Sequence, residues 1–194
     1  MTAKVRELLS IDLGDGVTLH MHAGRGWYVS PVAVAAGLVL AGEAILRLGV
    51  TPHGVLAATL LVVLSVLTAI DLRTRLLPNR IVLPALAAVL LWQLAFFPDR
   101  AAEWLLAAVG ASVFLLLPSF LHPGAMGMGD VKLGALLGAA LGVAVVPALL
   151  VGSLAVVPVA LVLAVRHGRS AGRTTIPFGP FLAFGAAVIL LAAG

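Results

Sequence analysis

Seven apolar segments, at about residues 31–48, 54–70, 80–97, 104–121, 132–146, 147–165 and 178–193, limit how this chain can fold. Each comes near the roughly 20 residues an α-helix needs to cross a hydrocarbon core, several at the short end. Inside lipid every backbone N–H and C=O must find its partner within the segment, so the spans are helices. Of the 194 residues 62% are hydrophobic and 10% charged, with mean hydropathy +1.17, which fits one compact polytopic domain and no soluble one. The expected fold is all-α, a transmembrane helix bundle over residues 31–194 with about seven spans and six as the alternative. Pro147 falls where the fifth and sixth spans meet, so their connection has to be very tight.

Residues 1–30 read as a polar, cytoplasmic extension. They lack a short apolar core followed by a small-residue cleavage site, so the first apolar span is expected to stay as a membrane anchor. Gly14-Asp15-Gly16 has turn character, and Val17-Thr18-Leu19-His20-Met21-His22 alternates like a short strand. His20 and His22 would share one face of that strand. With no third ligand in view, a small hairpin or a surface tail is favoured over a metal site. The absence of cysteine excludes disulfides, thiolate catalysis and Cys-ligated zinc. No metal or other cofactor is expected. The net charge of +4 does not point to nucleic acid, because basic and aromatic residues do not interleave.

The basic residues instead report topology. With a cytoplasmic N-terminus and seven spans, Lys4, Arg6, Arg25, Arg73, Arg75, Arg80, Lys132, Arg166, Arg169 and Arg173 lie inside, and only Arg47 and Arg100 outside. That ten-to-two bias supports the orientation. It also places Asp71, which ends the second span, and Asp130, which opens the fifth, at the same cytoplasmic face. The expected location is the inner cell membrane.

Two carboxyl groups a few ångströms apart cannot both ionise easily, so one keeps its proton. The ionised member can take a proton from water while the protonated one polarises a peptide carbonyl, the division of labour of aspartic proteases. Asp130, Gly134, Gly138 and Gly142 recur every four residues, a stripe that turns Asp130 towards a neighbouring helix. Thr68 is placed to hydrogen-bond Asp71. Structural alternatives stand beside this reading: Asp130 as a helix N-cap, and Asp71 as the ion-pair partner of Arg73 or Arg75.

Gly127-Met128-Gly129-Asp130 resembles the GxGD signature of membrane aspartyl proteases, and residues 126–133 look specifically like the type IV prepilin peptidase, or leader peptidase, family. Asp71 followed by Leu77-Pro78-Asn79 resembles that family's first aspartate and its downstream Pro-Asn. Ile176-Pro177-Phe178-Gly179-Pro180-Phe181-Leu182-Ala183 resembles its approach to the last helix. The resemblance covers about residues 55–190. It implies cleavage of a short basic leader from type IV prepilin or pseudopilin precursors at the cytoplasmic face. It implies Asp71 and Asp130 as the catalytic pair, with Gly127 and Gly129 shaping the approach of the substrate backbone. Asn79 and Lys132 are supporting candidates, Lys132 either tuning Asp130 or meeting lipid headgroups. Larger members carry a cysteine-containing cytoplasmic domain and also methylate the new amino terminus. This sequence has no cysteine and a short link at about residues 49–53, so it resembles compact, peptidase-only members.

Other polar residues have local explanations. Glu43 and Arg47 are spaced for an ion pair one helical turn apart. His122, beside the glycine loop, reads as a bystander. Trp27, Tyr28, Trp92 and Trp104 suit interfacial anchoring. The rival functions are a small proton- or cation-coupled transporter or channel using the two aspartates, and an inactive scaffold of a pilus assembly system.

Overall fold

The computed structural model describes residues 10–12, 18–20, 30–121, 126–167 and 177–192. Its core is a multi-pass bundle of seven helices: α1 (Pro31–Leu48), α2 (Pro52–Thr74), α3 (Asn79–Phe96), α4 (Ala101–Leu121), α5 (Met128–Leu141), α6 (Val145–His167) and α7 (Gly179–Ala192). Ahead of it, β1 (Ser10–Asp12) pairs antiparallel with β2 (Thr18–His20), and of the two only β2 falls in the stretch read as strand-like. His22 lies outside the described residues, as do Trp27, Tyr28 and His122.

Helix starts follow local chemistry. Pro31 and Pro52 stand at the first positions of α1 and α2, where no backbone N–H is needed. Thr51 Oγ1 caps α2 by accepting from the Gly54 N–H at 3.1 Å. Between α1 and α2, Gly49 takes φ 70° and turns the chain within residues 49–51. Glu43 and Arg47 form the expected ion pair, at 2.6 Å, and Arg47 also donates to the Leu191 carbonyl at the C-terminal end of α7.

Among the described residues, five helical stretches are long and apolar enough to span a bilayer: Pro31–Leu48, Pro52–Thr74, Asn79–Phe96, Pro98–Phe120 and Met128–Leu163; α7 is apolar but shorter. The expected fifth and sixth spans form one of these stretches, broken at a 3₁₀ turn over Gly142–Ala144. Gly142 carries the break with φ 57°, a conformation that favours glycine. Pro147 sits in the first turn of α6, where its missing donor costs nothing, so the boundary lies earlier than Pro147 suggested.

Helix α5 runs through the middle. Leu133, Leu136, Leu137 and Ala139 are buried together with Leu64 and Leu67 of α2, Leu115 of α4 and Leu182 of α7. Its glycine stripe meets α4: a Cβ on Gly134 would strike Leu115 and the Ala111 carbonyl, and one on Gly138 the Ala107 carbonyl. The small residues thus let α4 and α5 approach closely, as the spacing implied. Trp104 departs from expectation, because it is 6% exposed and lies inside the bundle rather than at its rim. Trp92 is half-buried and donates through Nε1 to the Pro52 carbonyl at 3.1 Å.

Candidate active site

Asp71 lies near the end of α2. Its carbonyl accepts the Arg75 N–H at 2.7 Å, and Arg75 closes the helix at φ 54°. Left-handed backbone is uncommon outside glycine and here reverses the chain sharply. Thr74 Oγ1 secures the turn by donating to the carbonyls of Ile70 and Leu76 at 2.9 and 3.1 Å. The chain then passes through Leu77 and Pro78 into α3, whose first residue is Asn79. The Asp71 side chain is buried, and its Oδ2 has no hydrogen-bond partner among the described residues. The bond expected from Thr68 is therefore absent at Oδ2; Thr68 lines an apolar groove between α1, α2 and α7 instead.

Asp130 lies in the first turn of α5. The N-cap of that helix is Gly127, whose carbonyl accepts the N–H groups of Asp130 and Val131 at 3.0 and 3.3 Å. Asp130 is thus the third helical residue and not the N-cap itself. Its carboxyl folds back on the N-cap, so that a Cβ on Gly127 would lie 3.2 Å from Oδ2. Gly129 has a different contact. A Cβ there would come within 2.9 Å of the Leu77 Cβ, so its bare face accommodates the α2–α3 connection.

These two helix ends converge on a cavity of about 260 Å³ lined by Asp71, Arg75, Leu76, Leu77, Asn79, Gly127, Met128, Gly129, Asp130 and Lys132. All six residues singled out from the sequence line it. Asn79 and Lys132 are also joined directly, Lys132 Nζ donating to Asn79 Oδ1 at 2.8 Å and tying α5 to the start of α3. Two carboxyls in one cavity of this size can hold water between them and pass a proton to and from it. Among the described residues, no three His, Cys, Asp or Glu side chains gather as metal ligands.

Sequence reasoning overlooked one member of the site. Gly179, the first residue of α7, lies against Asp71, and a Cβ on it would fall 2.7 Å from Oδ2. Its signal was its place in the Ile176–Ala183 segment, which resembles the family's approach to the last helix but implied no contact with Asp71.

Two larger hollows, about 610 Å³ between α1, α2 and α7 and about 500 Å³ between α4 and α6, are lined mainly by aliphatic side chains and lack a carboxyl pair. At the opposite end of the bundle, Arg100 clasps Glu103 at 2.7 Å. There Gln93 Nε2 donates to the Ala139 and Ala140 carbonyls at 2.9 and 3.3 Å.

A model of the type IV leader peptidase family matches residues 58–165. The chain is 30% identical over 167 residues to a prepilin leader peptidase/N-methyltransferase of Bacillus subtilis, covering 84% of this chain and 66% of the relative. It is 36% identical over 168 residues to the protein of that name from Burkholderia pseudomallei, covering 82% and 53%. For Aeromonas salmonicida the identity is 37% over 147 residues, covering 71% and 50%. The chain thus spans between half and two-thirds of the length of these relatives. No solved structure shows significant similarity to it.

Proposed function

The chain belongs to the type IV leader peptidase family, and on that footing we propose that it is a membrane aspartic endopeptidase that removes the leader from prepilin-like precursors. The observation that carries the reading is that Asp71 and Asp130, from α2 and α5, line one cavity. One carboxylate takes a proton from a water held between them as that water attacks the scissile carbonyl. The other carboxyl donates a hydrogen bond to the carbonyl oxygen, and a proton returned to the leaving amine completes hydrolysis. The reaction uses neither a metal ion nor a nucleophilic side chain.

The substrate is a pilin or pseudopilin precursor with a basic leader followed by an apolar helix. The bias in basic residues supports a reading in which the Asp71–Asp130 end faces the cytoplasm at the inner membrane, with residues 1–30 on the same side. The proposal is confined to hydrolysis: α1 passes to α2 through residues 49–51, which leave no room for an inserted domain. A transporter would place its acids along a path through the bundle, whereas Asp71 and Asp130 share one end of it. Co-expression with candidate precursors, followed by N-terminal sequencing of the product, tests the reading. Wild-type protein should yield one new amino terminus. Asp71→Asn and Asp130→Asn should each lower cleavage by about 10²- to 10⁴-fold while inserting normally. A single variant that cleaves at near the wild-type rate would overturn it.

A further inference from the structure

Both carboxyls of the cavity rest on glycine, but the two glycines come from different places. Gly127 is the N-cap of the helix that carries Asp130. Gly179 is far from Asp71 in sequence and opens α7, a helix of 14 residues. A Cβ added at Gly179 would lie 2.7 Å from Asp71 Oδ2, 3.3 Å from Cγ and 3.6 Å from Cβ. The first of these is closer than non-bonded atoms allow, so any side chain at 179 must move the carboxyl.

The Asp71 side chain is 4% exposed, and among the described residues Oδ2 has no hydrogen-bond partner. In the first turn of α7, Pro180 has no N–H, and the N–H groups of Phe181 and Leu182 donate to the Phe178 carbonyl at 3.0 and 3.2 Å. The Gly179 N–H is left as the donor next to the Asp71 carboxyl. The position of α7 is fixed from behind by α6. A Cβ on Gly152 would lie 2.7 Å from the Phe181 carbonyl oxygen, and one on Gly185 would strike the Ala148 carbonyl. Among the described residues, the charged groups lining the cavity around Asp71 are Arg75, Asp130 and Lys132.

We infer that Gly179 is a positioning residue for Asp71: the bare backbone at the start of α7 seats the Asp71 carboxyl in the cavity shared with Asp130, supplying from a distant segment what Gly127 supplies to Asp130 locally. The role in turnover rests on the peptidase reading above; the seat itself does not.

Two experiments separate these. The chain has no native cysteine, so the double variant Asp71→Cys/Gly179→Cys reports proximity without background. The 3.6 Å separation of the two Cβ positions lies within the range a disulfide spans. Mild oxidation in membranes should join this pair in most molecules and leave Asp71→Cys/Gly185→Cys unjoined; failure of the first pair to join overturns the inference. In the second experiment, Gly179→Ala should lower kcat at least about tenfold and move a limb of the pH–rate profile by about half a unit or more. Gly185→Ala, which disturbs α7 against α6, should reduce the amount of folded enzyme and leave the profile in place. A Gly179→Ala enzyme with the wild-type kcat and profile, or a Gly185→Ala enzyme whose profile moves equally, contradicts a positioning role. If Gly179→Ala does not accumulate as folded protein, the disulfide result decides. Should the disulfide form while the wild type cleaves no precursor, the peptidase reading fails and the seat stands.

Discussion

Asp130 and Asp71 line the same cavity, yet they are held there by different means. Asp130 is supported within one helical turn, by the Gly127 N-cap that its carboxyl folds back upon. Asp71 sits at the end of a long helix, and its carboxyl lies where a Cβ on Gly179 would fall, against a backbone brought in by α7. The first arrangement can form as soon as α5 forms. The second exists only after α6 has docked α7 and α7 has met α2. One carboxyl is therefore set by local structure and the other by assembly of the bundle, so substitutions remote from the cavity should reach Asp71 more readily than Asp130.

The strongest challenge to this contrast is a matched pair of alanine substitutions. Gly179→Ala should reduce kcat by about 10- to 100-fold, and Gly127→Ala by less than about tenfold, because a Cβ is tolerated at 3.2 Å from an oxygen far better than at 2.7 Å. Cleavage rates per folded molecule measure both, and equal losses would erase the distinction. Gln93 offers a test in the other direction. Its amide closes the C-terminal end of α5 far from the cavity. Gln93→Leu should therefore lower stability by about 1–3 kcal/mol in a denaturation assay, with kcat per folded molecule unchanged.

The link between Lys132 and Asn79 is more exposed and should matter less. Lys132→Met and Asn79→Ala are each expected to destabilise by about 1 kcal/mol. The double variant should be little worse than either single one, since both remove the same hydrogen bond; full additivity would mean that the two residues act separately. Smallest of all is the Glu43–Arg47 pair, roughly half exposed at the opposite end of the bundle. Glu43→Gln should change stability by less than about 1 kcal/mol and leave cleavage untouched.

The same contrast explains what could be read from the residues alone. The helices were legible because apolar runs punctuated by proline and glycine leave few alternatives, and the first span, 31–48, coincides with α1. The Asp130 side of the cavity was legible because its support lies in four consecutive residues. Gly179 was not, since no local pattern records which helix start will meet Asp71. Gly129 drew attention for its bare backbone, but that its face is taken by Leu77 depends on the left-handed turn at Arg75. Trp104 read as an interfacial aromatic from its place near a span end, whereas packing drew it inside. Pro147 marked a turn that the chain makes earlier, at Gly142, because proline is at ease in the first turn of a helix.

If the two carboxyls work as one unit, their removal should not be additive. The decisive measurement is the cleavage rate of one prepilin-like precursor by Asp71→Asn, Asp130→Asn and the double variant, each compared with wild type. The account predicts that each single variant is as inactive as the double; a single variant retaining substantial activity, or a double variant far slower than both, would mean that Asp71 and Asp130 do not share one reaction.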